Sequence, residues 1–150
     1  NIQGDFQCKD YSYVKEFVMP FIRVAGDMTI ALNSGSVNTA AEIEFPKLQE
    51  IGGTLTLESN SNANNIAFPS LKKILGSCSV TTTDLKNDIE FTNLESIGTD
   101  GADEQIKFEI EATNILCPKL KTINGKFDIA TSSFMFGLCF SFFVFHFLDD

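Results

Sequence analysis

The chain has 150 residues, 43% of them hydrophobic, and carries a formal net charge of −9. That is one ordinary domain with enough apolar material for a core, which excludes wholesale disorder. The acidity reads as a solvated exterior; it would repel a phosphate backbone, and no basic stripe along the sequence offsets it, so nucleic acid is excluded as a partner.

The chain opens on Asn1 rather than Met, which reads as a processed product or a fragment, with a secretory signal absent or already removed. Residues 8–18 are expected to form a short helix. Asp10 caps it, Tyr13/Phe17 and Val14/Val18 are i,i+4 pairs on one apolar face, and Pro20 ends it. Cys8 in this segment could be half of a disulfide, with a partner that nothing identifies. Val24-x-Gly26-x-Met28-x-Ile30 then reads as a first, incomplete coil, followed by an extended loop at 31–41.

From there a unit recurs. Phe45-Pro46-x-Leu48-x-x-Ile51-x-Gly53-x-Leu55-x-Leu57 returns as Phe68-Pro69-x-Leu71-x-x-Ile74-x-Gly76-x-Cys78-x-Val80. It returns again as Phe91-Thr92-x-Leu94-x-x-Ile97, and as Cys117-Pro118-x-Leu120-x-x-Ile123-x-Gly125-x-Phe127-x-Ile129. The four leucines are spaced by 23, 23 and 26 residues. A period of that length means a solenoid, whose units bury their apolar edges only by stacking. Leu48, Ile51, Leu71, Ile74, Leu94, Ile97, Leu120 and Ile123 are expected to form the buried ladder. Cys78 stands in the place of Leu55, and Cys117 in that of Phe45, so both thiols should point inward as small core hydrophobes.

Ile43-x-Phe45, Ile66-x-Phe68 and Ile89-x-Phe91 alternate as short strands, as do Leu55-x-Leu57, Cys78-x-Val80 and Phe127-x-Ile129. Gly53, Gly76 and Gly125 fall at the bend before the second of these strands, where a special backbone angle is expected. Pro46, Pro69 and Pro118 follow the first, where one lost N–H costs little. The polar stretch 59–65 reads as a bend. The fourth coil differs, because Ile97 is followed by an insertion through Gln105 before Ile106-x-Phe108-x-Ile110.

The end of the chain, Phe134 to Leu148, holds seven phenylalanines. It is short for a membrane span. Three readings stay open for it: the removable hydrophobic segment of a glycolipid-anchor signal, a strand pair of the last coil, or a non-native gene end.

Little here suggests catalysis. The single histidine, His146, lies in the phenylalanine run, and no phosphate loop or G-x-S-x-G occurs. Cysteine spacing fits no zinc site, and neither metal nor cofactor is expected. Asp100, Asp103 and Glu104, with Glu109 and Glu111, are the carboxylates to weigh for a calcium site or for polysaccharide cleavage, but they lack a known calcium-loop order. As binding residues the candidates are Asn33, Ser36 and Asn38 in the loop at 31–41, and Asp100, Asp103 and Glu104 in the inserted loop, since solenoid insertions often carry function.

The repeat F-P-x-L-x-x-I-x-G-x-L-x-L resembles that of receptor L-domains, and most closely the fungal glycolipid-anchored cell-wall and sporulation proteins. The matching stretches are Phe45-Pro46-Lys47-Leu48, Phe68-Pro69-Ser70-Leu71 and Val24-Ala25-Gly26-Asp27-Met28-Thr29-Ile30. The resemblance implies a mostly β fold: a right-handed leucine-rich β-solenoid of about five coils with a short N-terminal capping helix. The solenoid would span 1–130, ahead of a hydrophobic tail at 131–150. It also implies an extracellular, cell-surface location and no catalysis, with a structural, adhesive or wall-organising role and a protein or carbohydrate ligand. The cysteine pair usual around the entry helix of that family is missing here. Two alternatives stand beside this reading: a ligand-binding L-domain fragment of a receptor-like ectodomain, and, from another class, a polysaccharide-acting solenoid enzyme. A carboxylate pair aligned across adjacent coils would favour the enzyme.

Overall fold

The computed structural model describes residues 1–9, 16–31, 41–58, 63–82, 89–99, 104–110, 115–131 and 144–146. Its strands follow one another in triplets, one triplet per coil. The first is β1 (Phe6–Lys9), β2 (Glu16–Val18) and β3 (Arg23–Val24). The next are β4 (Met28–Ala31), β5 (Ala41–Glu44) and β6 (Glu50–Ile51), then β7 (Leu55–Glu58), β8 (Ala63–Ala67) and β9 (Lys73–Ile74). After these come β10 (Cys78–Thr82), β11 (Ile89–Glu90) and β12 (Ser96–Ile97), then β13 (Gln105–Ile110), β14 (Ile115–Leu116) and β15 (Thr122–Asn124). β16 (Lys126–Thr131) and β17 (Val144–His146) close the described chain.

Equivalent strands of successive coils pair in parallel, which makes three sheets. The first runs β1-β4-β7-β10-β13-β16, the second β2-β5-β8-β11-β14, and the third β3-β6-β9-β12-β15-β17. This is a β-solenoid, and its register is that of the repeat: Leu55 faces Cys78, Ile74 faces Ile97, and Ile66 faces Ile89.

Alternation along each short strand sends one side chain inward and the next outward, so each repeat position becomes a column. Leu48, Ile51, Leu71, Ile74, Leu94, Ile97, Leu120 and Ile123 are all buried, at 0–1% exposure. Each such side chain is worth about 1.5–3 kcal/mol relative to its exposed state. The phenylalanine column stacks face to face: Phe45 on Phe68 at 5.2 Å and Phe68 on Phe91 at 5.1 Å between centroids. That spacing is close to the separation of neighbouring strands, about 4.8 Å, so the rings follow the backbone.

The expected N-terminal helix is not found. Residues 6–9 and 16–18 are strands, and Phe6–Lys9 pairs with Met28–Ala31 while Glu16–Val18 pairs with Glu42–Glu44. Inter-coil hydrogen bonding satisfies more of the backbone of this segment than an isolated turn of helix would, and it puts Phe6, Cys8 and Phe17 on the inner side. The segment is a further coil, so the unit beginning at Val24 is not the first. Met19-Pro20 occupies the place of Phe45-Pro46, with Met19 N–H donating to Glu44 O (3.0 Å) as Phe45 N–H donates to Ala67 O (3.0 Å). The rings of Phe6, Phe17 and Phe21 gather over Phe45 at 6.1, 5.9 and 5.6 Å and cover the end of the core. Residues 10–15 lie outside the described residues.

One smaller expectation also changes. Ala63 to Asn65 belong to β8 rather than to a bend. At the chain end, β17 pairs with β15 through Thr122↔Val144 and Ile123↔Phe145, while residues 132–143 and 147–150 lie outside the described residues. Among the described residues, no helix is long and apolar enough to cross a membrane.

Gly125 has the special backbone angle expected of it, whereas Gly53 and Gly76 have a different role. Among the described residues only Gly98 (φ 78°) and Gly125 (φ 138°) need a left-handed backbone. Gly53 and Gly76 are required by space. Gly53 N–H donates to Gly26 O (3.0 Å) and Gly76 N–H to Gly53 O (3.1 Å), so the backbones of successive coils touch at this corner. A Cβ on Gly76 would lie 2.7 Å from the Gly53 carbonyl carbon. Beside this column, Asp5 Oδ1 accepts from Asp27 N–H (2.9 Å), and Asp27 Oδ1 accepts from Thr54 N–H (2.7 Å).

Gly76→Ala should therefore cost roughly 1–3 kcal/mol in urea unfolding, the range for overpacking a filled site. Gly4→Ala, at a position with nothing within 4 Å of the added carbon, should stay within about 0.5 kcal/mol. Equal effects of the two would show that the corner is not tightly packed. Leu71→Asp should abolish the cooperative melt by placing an unpaired charge in the core; an unchanged melting temperature would refute the register.

Candidate functional site

The bend that joins the second sheet to the third, and the outer face of the third sheet, collect positive charge. Arg23, Lys47, Lys72, Lys73, Lys119 and Lys121 all lie there, and all are exposed. Among the described residues of the bend and of β3, β6, β9 and β12, only Glu50 and Glu95 accompany them, a local excess of four positive charges on a chain of net −9. No basic stripe is visible along the sequence because these cations are scattered from 23 to 121; the period stacks them.

The two carboxylates are already engaged. Arg23 Nε donates to Glu50 Oε1 at 2.8 Å, and Lys121 Nζ lies 3.6 Å from Glu95 Oε2. Lys119 Nζ donates to Asn93 Oδ1 (2.5 Å), part of a polar line along the bend in which Ser70 Oγ donates to Pro46 O (2.6 Å) and Asn93 Nδ2 to Pro69 O (2.5 Å). Lys47, Lys72 and Lys73 make no side-chain hydrogen bond or ion pair with a described residue.

β3, β6 and β9 shape this surface into an open groove of about 200 Å³, lined by Ile22, Arg23, Gln49, Glu50, Lys72 and Lys73. Ile22 gives it an apolar wall and is 49% exposed. The register holds the polar walls in line, with Arg23 opposite Glu50 and Glu50 opposite Lys73. Such a groove can pair with carboxylates or sulfates and can hydrogen-bond hydroxyls.

Of the residues singled out from sequence, Asn33, Ser36, Asn38, Asp100 and Asp103 lie outside the described residues, as does Glu111. Glu104 is described and serves the fold: its Oε2 accepts from Ser77 Oγ (2.7 Å), and Ser77 Oγ accepts from Gln105 N–H (3.0 Å). Its backbone carbonyl accepts from Lys126 N–H (2.8 Å). Glu109 lies in β13 opposite Thr81 and Ala130. A carboxylate pair across adjacent coils does occur elsewhere: Glu16 faces Glu42 in the second sheet, and both are exposed on its outer side.

Cys8, Cys78 and Cys117 are free, buried thiols. Cys8 is opposite Ile30 inside the first sheet, so it fills a core position and forms no disulfide. Among the described residues no group of three or more His, Cys, Asp and Glu is placed to hold a metal. No family model, curated protein or solved structure matches the chain.

Burial raises the pKa of all three thiols, that of Cys117 to about 12 from 9.0; for Cys78 the neighbouring Cys117 adds to the effect. The folded state therefore holds its thiol protons longer than the unfolded state does. The stability this represents is complete below pH 9 and is lost as pH rises toward 12. The melting temperature should fall over that range, with a shallower fall in the Cys78→Ala/Cys117→Ala variant. At pH 8 a thiol-specific colorimetric reagent should leave Cys8, Cys78 and Cys117 unmodified in the native protein and label them in denaturant; rapid native labelling would show them outside the core.

Proposed function

We propose that this chain is a non-enzymatic cell-surface solenoid of the receptor L-domain kind, right-handed and leucine-rich, with a structural, adhesive or wall-organising role. The observation that carries the reading is the registered outer face of the third sheet, where side chains of successive coils form a continuous strip with a groove and an excess of positive charge. Solenoids use extended surfaces of this kind to bind. The F-P-x-L-x-x-I-x-G unit supports the kinship, since its phenylalanine, leucine and isoleucine are the core columns and its glycine is the packed corner. Right-handedness follows the strong preference of parallel crossover connections. The groove also suits a ligand-binding fragment of a receptor-like ectodomain.

The test is made on intact cells producing the full-length product with an epitope tag near its N-terminus. Surface staining without permeabilisation is expected, and a phosphatidylinositol-specific phospholipase should release the protein into the medium. Staining only after permeabilisation would overturn the surface reading. Surface protein that the enzyme fails to release would remove the glycolipid anchor alone.

One observation favours a second reading, the polysaccharide-acting enzyme: Glu16 and Glu42 stand opposite each other across adjacent coils. Paired carboxylates flanking a glycosidic bond are the working groups of glycoside hydrolysis. Incubation of the purified chain with polygalacturonate should release no new reducing ends. Release that disappears in Glu42→Gln would establish this enzyme in place of the scaffold.

A further inference from the structure

We infer that the basic strip on the third sheet is a docking site for a linear acidic polysaccharide lying along the solenoid axis, across the strands. The inference rests on the surface-solenoid reading above and names its partner.

Position and charge lead to it together. Two lines of outward side chains run along the axis, set by strand pairing. In one, Arg23, Glu50 and Lys73 follow each other on successive coils; in the other, Lys72 is followed by Glu95 and Lys121. Each line holds two cations set two coils apart, and the first continues through Ser96 and Thr122 without another. With neighbouring strands about 4.8 Å apart, that is a spacing of roughly 10 Å. It is close to the rise of two pyranose units in an extended chain whose alternate carboxylates face the same side.

Glu50 and Glu95 neutralise Arg23 and Lys121 beside them, which leaves the excess of the strip on Lys47, Lys72, Lys73 and Lys119; Lys72 and Lys73 have no ion-pair partner among the described residues. At physiological salt, charges more than about 8 Å away are largely screened. The groove adds what a sugar needs besides charge: Ile22 for an apolar ring face, and Gln49 for hydroxyls.

A nucleic acid fits less well. Its phosphates are denser than the cations here, and none of the outward residues of the groove is aromatic, so single-stranded bases have nothing to stack on. A neutral glucan leaves the lysines without partners.

The experiment measures binding of the purified full-length chain to fluorescently labelled polygalacturonate at 50 mM and 500 mM salt. Dextran and single-stranded DNA of matched length serve as the other probes. Wild-type protein should bind polygalacturonate at low salt and lose most of that affinity at high salt. Lys73→Glu should weaken binding, and Lys72→Glu/Lys73→Glu should do so by roughly tenfold or more, with unchanged melting temperatures. Lys9→Glu makes the same change in net charge on the exposed side of β1 and should leave binding as it is.

No polygalacturonate binding at low salt would overturn the inference. So would equal damage from Lys9→Glu and Lys73→Glu, which would mark a non-specific charge effect, or tighter binding of DNA or dextran. These outcomes are separable from the location test. A chain that reaches the cell surface but ignores polygalacturonate refutes the partner and leaves the surface reading standing, whereas one that binds in solution but stays inside the cell does the reverse.

Discussion

Successive coils of this protein are hydrogen-bonded to one another, and this forces all of them onto one path. Parallel pairing without slippage requires that a residue facing inward in one coil face inward in the next. A misplaced residue is therefore copied as an error into the neighbouring contacts. The glycine corner is where the requirement is strictest, because the backbones of Gly26, Gly53 and Gly76 meet there without intervening side chains. Elsewhere the repeat tolerates insertions: the extra residues between Gly98 and Gln105 leave Gln105–Ile110 in register with Cys78–Thr82. The same constraint fixes the columns, and the columns create the core, the phenylalanine stack and the charged strip together.

That common origin explains why so much of the architecture was legible in the sequence. The columns of Leu48 and Ile51 recur at 23, 23 and 26 residues, and each unit states its own strand alternation. The N-terminal coil was harder to see. Phe17 and Val18 fit a helical spacing with Tyr13 and Val14 as well as they fit a strand, and the turn after Met19-Pro20 is a residue shorter than its counterparts. The signal was present all the same: Ile2-x-Gly4-x-Phe6-x-Cys8 repeats Val24-x-Gly26-x-Met28-x-Ile30 at a distance of 22. Reading Cys8 for its disulfide chemistry concealed its place in an apolar column.

The glycines and the strip were less accessible for a different reason. A repeated glycine in sequence indicates either a left-handed angle or a lack of space, and only the neighbouring coil decides between them. At Gly76 the decision came from the Gly53 carbonyl. A charged surface is likewise a sum over distant residues: Arg23, Lys73 and Lys121 have nothing in common along the chain except their phase within the repeat. In the loops at 31–41 and 99–105, by contrast, polar residues are adjacent in sequence. Phase, rather than adjacency, brings the cations together.

The uniform pairing distance also bears on how the molecule forms. Strand partners among the described residues lie 21 to 28 residues apart, with no short hairpins to fold early and no pairing between the two ends of the chain. Closing the first such loop is an uphill step, after which each added coil gains a preformed template. Assembly then resembles growth from a seed. The coils where Phe45, Phe68 and Phe91 stack are best placed to be that seed, and the outermost strands should open and close many times during the lifetime of the centre.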